Sequence, residues 1–155
     1  MGTLSSIQMN IRKATIEDVP AIMELVRELA VYEKAPEEVT NTEERMRKEG
    51  FGENPAFECI LAEKDGTVVG MSLYYYRYST WKGRRLYLED LIVTEKARGT
   101  GLGKILLDRT IEIAKEEGCS GMMWQVLDWN TPAIEFYKKY NTRLDGEWIN
   151  CHLDF

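Results

Sequence analysis

Apolar positions recur along the chain with two periods. Val19, Ile22, Met23, Val26, Leu29 and Ala30 follow helical spacing and predict an amphipathic helix that ends before Pro36. Thr15-x-x-Asp18 precedes it as a capping signal, with Asp in place of the usual Glu. A short helix is predicted from about Glu43 to Glu49, with Thr40-x-x-Glu43 before it and Gly50 as its stop. Leu102, Ile105, Leu106, Ile113 and Ala114 share one face of a long helix that stops at Gly118. Asn130-Thr131-Pro132 opens a last helix carrying Ile134, Phe136 and Tyr137, with Pro132 in its first turn. The strand-like runs are Met9 to Thr15, Phe57 to Glu63, Val68 to Tyr78, Arg84 to Val93, Met122 to Leu127 and Trp148 to Phe155. Asp65-Gly66 between the second and third of these is a strong hairpin signal.

The predicted order is strand, two helices, three strands, helix, strand, helix, strand. Early strands separated by tight turns pair antiparallel, whereas a helix between the fourth and fifth strands demands a parallel crossover. The pattern predicts a mixed α/β sheet. At 155 residues and 44% hydrophobic, the chain suits one domain spanning residues 1–155, with residues 1–8 as a disordered lead-in.

Asp and Glu number 26 against 20 Lys and Arg, a formal charge of -6. That balance argues against nucleic acid as a partner and suits a cationic substrate. No apolar stretch approaches spanning length, so no membrane partner is expected, and the N-terminus lacks the features of a secretory signal. Gly2 and Ser6 fit the myristoylation pattern formally and are read as a chance match. Cys59, Cys119 and Cys151 are odd in number and widely spaced. They read as small core residues in a reducing cytoplasm, and no metal is expected. His152, the only histidine, reads as a strand residue.

The most informative segment is Arg98-Gly99-Thr100-Gly101-Leu102-Gly103, between the Leu86–Val93 strand run and the long helix. Alternating glycines at a strand-to-helix junction let backbone N–H groups converge on a phosphate, and the helix dipole adds to their field. A loop without a ligand is the competing explanation. A P-loop would need Lys followed by Ser or Thr, but Ile105 follows Lys104. A dinucleotide fingerprint would need Gly-x-Gly-x-x-Gly early in a strand–helix–strand unit.

Arg-x-x-Gly-x-Gly resembles the coenzyme A loop of the GNAT superfamily of N-acetyltransferases. Further blocks resemble its spermidine/spermine (diamine) and thialysine N-acetyltransferase group. They are Glu28 to Glu33, Gly50 to Pro55, Tyr78 to Gly83, Leu86 to Asp90, and Leu127 to Asn130. The resemblance implies a mixed, largely antiparallel twisted sheet with helices on both faces and splayed parallel central strands that admit acetyl-coenzyme A. It also implies a homodimer. Two departures stand out. The Lys64–Thr67 hairpin is tight where animal members carry an insertion, and many members continue past the position of Phe155, so substrate contacts from such a tail are expected to be absent or replaced.

An amine attacking a thioester must be neutral and held beside the carbonyl, and the departing thiolate needs charge stabilisation or a proton. By resemblance, Glu89 takes the amine proton through a water and Tyr137 acts as general acid. Taken alone, Glu89 reads equally as a surface carboxylate, and Phe136-Tyr137 as a core aromatic pair. The cofactor set implied is Leu91, Val93, Arg98, Gly99, Thr100, Gly101, Gly103, Lys104 and Asn130, with Asn130 on the pantetheine arm. Asn130 and Tyr137 lie seven residues apart, so one helix face can carry both. Tyr32, Glu33, Trp81, Asp90 and Asp128 are candidate substrate residues, an aromatic and acidic channel for an extended cation. Glu28 and Glu33 read equally as solvated helix-face charges. The Tyr74-Tyr75-Tyr76 run reads as packing or a dimer surface. The reading is an acetyl-coenzyme A-dependent N-acetyltransferase acting on a polyamine, diamine or lysine-like amine in a ternary complex. A protein amine or aminoglycoside as acceptor, and a non-catalytic acyl-coenzyme A sensor, remain open at this point.

Overall fold

A computed structural model describes residues 9–155; the predicted lead-in and the Gly2–Ser6 pattern lie outside the described residues. The chain divides into two compact units, one up to Trp124 and one from Gln125 onward.

In the first unit the elements are β1 (Met9–Lys13), α1 (Val19–Tyr32), α2 (Glu43–Gly50), β2 (Glu58–Lys64), β3 (Thr67–Ser79), β4 (Gly83–Val93), α3 (Leu102–Glu116) and β5 (Met122–Met123). The strands lie in sequence order in one sheet. The first four are antiparallel and β5 runs parallel to β4, as the crossover argument requires. The β2–β3 turn places Asp65 and Gly66 at φ 51° and 80°, the left-handed pair that a tight hairpin needs.

Alternation along the strands builds two cores. Cys59, Leu61, Met71, Leu73 and Ile92 pack with Val19, Ile22, Met23 and Leu25 of α1. Ile60 and Ala62 on the other face pack with Leu102 and Leu106 of α3. Ser72 and Thr110 are fully buried on that side and satisfy each other through a 2.7 Å hydroxyl pair. Helices therefore cover both faces. The Thr15–Asp18 box forms, Thr15 N donating to Asp18 Oδ2 at 2.7 Å. The cap of α2 is Thr42, whose hydroxyl accepts from Arg45 N at 3.1 Å, rather than the predicted Thr40.

The β4–β5 ladder joins only Leu86 to Met122 and Tyr87 to Met123. The run predicted to reach Leu127 is thus a strand only over Met122–Met123, and Leu88 to Val93 have no ladder partner on that side among the described residues. This is the splaying implied by the resemblance.

The second unit holds α4 (Thr131–Lys138). Asn130 caps it, Oδ1 accepting from Ala133 N at 3.4 Å, and Pro132 sits in the first turn as predicted. Phe136 packs against Tyr137 and Tyr140, with ring centroids 5.4 Å and 5.7 Å away. Trp148 to Phe155, predicted as the last strand, carries no strand pairing, and Trp148, Ile149, Leu153 and Phe155 are exposed. His152 and Cys151 are correspondingly not strand or core residues; of the three cysteines only Cys59 is buried. A strand pattern records a capacity to pair, and pairing needs an edge in register. No helix of the described residues is long and apolar enough to cross a membrane.

Candidate active site

The decisive local feature is a bulge in β4. Leu73 pairs with Asp90 while the next residue, Tyr74, pairs with Leu88, so Glu89 is the extra residue. Residues paired across a ladder share a face. Before the bulge, Tyr87 pairs with Tyr75 on the α1 face; after it, Asp90 and Ile92 pair with Leu73 and Met71 on that same face. The extra residue inverts the alternation. Glu89 and Asp90 consequently fall on one face instead of opposite faces.

Glu89 is exposed and accepts a hydrogen bond from Tyr75 Oη at 3.2 Å. Tyr75 stacks on Tyr87 with centroids 5.3 Å apart, and Arg77 lies 5.4 Å from the Tyr87 centroid. Burial, with Glu89 nearby, pushes the Tyr75 hydroxyl up to about 12, so it stays a donor. Asp90 is partly buried; burial first, then the charges of Glu89 and Glu33, pushes its carboxyl up to about 7. Burial also raises Glu33, the residue that closes α1. Glu33, Glu89 and Asp90 thus form one acidic cluster. Tyr32 precedes Glu33, and its ring lies 5.5 Å from the Arg98 guanidinium.

The glycine turn follows a 3-10 turn at Glu95–Ala97. Gly99 and Gly101 have φ of 79° and 84°, and a Cβ on either would meet nothing within 4 Å among the described residues. The turn therefore needs glycine for its backbone, and the space beside it is open, which fits a phosphate approached by main-chain N–H groups. An α-helix leaves its first N–H groups without intrahelical acceptors, and Leu102 and Gly103 begin α3 directly after Gly101. Thr100 Oγ1 donates to the Ala97 carbonyl at 2.6 Å, turning into the protein. Lys104 Nζ lies 2.6 Å from Asp108 on the exposed face of α3. Leu91 and Val93 pack on the α3 core.

Of the other expected site residues, Trp81 lies apart from the cluster within the first unit, and Asp128, Asn130 and Tyr137 fall in the second. Trp81 is 87% exposed in the turn between β3 and β4, where Ser79 Oγ accepts from its N–H at 3.2 Å. Asp90 lies seven residues beyond the start of β4, at about 3.3 Å per residue, so the acidic cluster does not include Trp81. Asp128, Asn130 and Tyr137 belong to the second unit. There Asn130 already caps α4, Asp128 is exposed before it, and the Tyr137 carbonyl accepts from Thr142 Oγ1 at 3.1 Å. No group of three or more His, Cys, Asp or Glu placed to hold a metal ion occurs among the described residues. Two features escaped the sequence reading, the Tyr75 hydrogen bond to Glu89 and the bulge itself. The bulge has a signal: Leu86 and Leu88 alternate, then Leu91 and Val93 resume one residue late.

The bulge sets the exposed Glu89 beside the partly buried Asp90. The Asp90 shift makes a testable statement. Its folded pKa lies above the usual carboxylate value, so the folded state binds the proton more tightly than the unfolded one. That contribution to stability is full below about pH 4 and is lost as pH rises through about 7. Asp90→Asn should flatten the stability decline across that window. Denaturant melts of both proteins at pH 5 and pH 8 giving the same difference would refute the shift. At the turn, Gly101→Ala forces a non-glycine residue to φ 84° and should weaken acetyl-coenzyme A binding more than Lys104→Ala, whose ammonium is engaged with Asp108. Calorimetric titration of the two variants ranks them; equal affinity would remove the turn from the binding site.

Residues 19–141 match the acetyltransferase (GNAT) family. Thialysine N-epsilon-acetyltransferase of Sus scrofa is 43% identical over 141 residues, covering 86% of this chain and 83% of that protein. Spermidine/spermine N(1)-acetyltransferase-like protein 1 of Homo sapiens is 37% identical over 134 residues, covering 82% of this chain but 19% of that protein. Among solved structures, an aminoglycoside acetyltransferase from an uncultured soil metagenomic sample superposes with TM-score 0.77 at 18% identity. It covers 95% of this chain and 96% of its own, a likeness of fold alone. The chain belongs to the acetyltransferase (GNAT) family and is an N-acetyltransferase.

Proposed function

We propose that the chain transfers the acetyl group of acetyl-coenzyme A to a primary amine of a small cationic substrate by direct attack in a ternary complex. A lysine-like amino acid, a diamine or a polyamine is the acceptor. The observation that carries this reading is the coexistence, in one unit, of the left-handed glycine turn and the acidic cluster that the β4 bulge creates. The thialysine-acetylating relatives support the lysine-like end of the range. The family match runs from residue 19 to 141 and supports one catalytic domain.

The backbone of Gly99, Thr100, Gly101 and Gly103 and the start of α3 would hold the pyrophosphate. Leu91 and Val93 would border the pantetheine arm, and the resemblance assigns Asn130 to the same arm. Acetyl-coenzyme A supplies the acyl group as an activated thioester. An alkylamine has a pKa of about 10.4, so near neutrality it arrives as an ammonium ion that cannot attack. The acidic cluster attracts that cation, and Glu89 accepts its proton through a water. Tyr75 fixes the Glu89 carboxylate by the hydrogen bond described above. Glu33 and Asp90, with the ring of Tyr32, read the rest of the cation. Tyr137 gives a proton to the departing sulfur. Cys59, the buried thiol, is held well above the ordinary thiol range by burial and takes no part. We place the enzyme in the cytoplasm as a homodimer; three free cysteines support the reducing compartment.

Two experiments test this. Tyr137→Phe should lower kcat with little change in coenzyme affinity, and Glu89→Gln should lower kcat/KM near neutrality and recover in part at alkaline pH. General acid–base assistance is typically worth about 10²–10⁴-fold. Unchanged rates in both variants would remove the pair from the mechanism. Second, a diamine or lysine analogue should exceed a monoamine of equal length in kcat/KM at low salt. The advantage should shrink as added salt screens the field. Equal turnover at low salt would sink the cationic-substrate reading and leave the acetyltransferase activity standing.

A further inference from the structure

Glu28 belongs to the Glu28–Glu33 block, yet the chemistry above gives it no task. It sits on α1, partly buried, with donors from one turn converging on it. Its Oε1 accepts from Thr94 Oγ1 at 2.8 Å, and its Oε2 accepts from Glu95 N at 2.9 Å and Arg98 Nη2 at 3.3 Å. Those three residues connect the end of β4 to Gly99. Arg98 is drawn inward: its Nε donates to the Val93 carbonyl at 3.1 Å while its guanidinium lies over Tyr32.

The ion pair by itself contributes little, because the Arg98 and Glu28 side chains are 44% and 32% exposed. Geometry gives it a role. The turn is stiff internally, with Ala97 N bonded to the Thr94 carbonyl at 2.9 Å and Arg98 N to the Glu95 carbonyl at 3.2 Å. Fixing its first residues therefore fixes where Gly99 and Gly101 begin.

We propose that Glu28 is a positioning residue for the coenzyme: it clamps the Thr94–Arg98 turn to α1, making Arg98 an internal strut and leaving the backbone after it to meet the pyrophosphate. The proposal rests on the acetyl-coenzyme A reading above. Since α1 ends in Tyr32 and Glu33, one carboxylate ties the coenzyme turn to the helix that carries amine-binding residues.

The test is calorimetric titration of acetyl-coenzyme A into the full chain as wild type, Glu28→Ala, Glu28→Gln, Arg98→Ala and the Glu28→Ala/Arg98→Ala double variant. Steady-state kinetics and amide exchange at Gly99 and Gly101 accompany it. Losing a hydrogen-bonded charged acceptor should raise the coenzyme Kd of Glu28→Ala by about tenfold or more. It should raise the KM for coenzyme in step, leave kcat at saturating coenzyme largely intact, and speed exchange at both glycines. Glu28→Gln, which keeps one acceptor oxygen and the side-chain shape, should fall between and serves if the alanine variant fails to fold. The double variant should be no weaker than the worse single one, because both remove the same tie. Wild-type Kd in Glu28→Gln and Glu28→Ala, even with a lowered Tm, would overturn the proposal. So would loss of binding in Arg98→Ala with Glu28→Ala spared, which would put the guanidinium on the pyrophosphate. If wild type itself binds no acetyl-coenzyme A, the functional reading fails, and glycine exchange alone decides: faster exchange in Glu28→Gln upholds the clamp and unchanged exchange refutes it.

Discussion

One extra residue in β4 organises the acidic end of this molecule. Without Glu89 as a bulge, a strict period of two would send Asp90 toward α3 and expose Leu91 and Val93 to the α1 face. The bulge lets the same strand serve both cores: Ile92 closes the α1 side while Leu91 and Val93 close the α3 side. It also gathers two adjacent carboxylates on one face, an arrangement a regular strand forbids. The departure of β5 from β4 immediately upstream, after Tyr87, leaves this irregular stretch without a ladder neighbour there among the described residues.

The helix that faces the bulge is itself pinned at two points. Near its start, the Arg12 guanidinium holds Asp18 at 2.8 Å through both terminal nitrogens and reaches Glu63 at 3.0 Å from Nε. The Arg12 hydrogen bonds hold the Asp18 carboxyl below its ordinary value, so this tie strengthens as pH rises out of the acid range. Farther along, Glu28 binds the turn after β4. Between them the stripe of Val19, Ile22, Met23 and Leu25 supplies the burial. Hydrophobic contact gives α1 its adhesion without direction; the carboxylates at Asp18 and Glu28 set its registry along the sheet.

Elements whose signals are local were legible in the sequence. The Asp65-Gly66 turn, the α1 stripe, the Asn130 cap and the glycine turn each depend on residues within a few positions of one another, and each forms where the pattern placed it; α3 forms too, but Ile105 of its predicted stripe is exposed while Leu107 and Thr110 are buried. Trp148 to Phe155 failed for the opposite reason. Its alternation is real, but a strand exists only where a neighbour offers unpaired groups in register, and the run of residues does not encode that neighbour. The Tyr75–Glu89 hydrogen bond was hidden for a related reason. It links residues fourteen positions apart and depends on a register that the bulge resets. Glu28 looked like a solvated helix charge because its partners lie 66 to 70 residues away.

On the proposed chemistry, the acidic cluster is a compromise between folding and binding. Glu33, Glu89 and Asp90 repel one another, and burial adds to the penalty on Asp90 until its carboxyl titrates near neutrality. Natural selection for stability alone would favour an amide or an apolar residue at that position, since removing like charge from a partly buried place lowers the energy of the fold. A cation bound there reverses the sign: it neutralises the repulsion, lowers the Asp90 pKa and stabilises the folded chain by mass action. The repulsion within the cluster is thus of the kind that the proposed cationic acceptor would relieve. In the proposed reaction, an ammonium drawn in by the three carboxylates would meet Glu89, exposed at the bulge, in the place that attracted it.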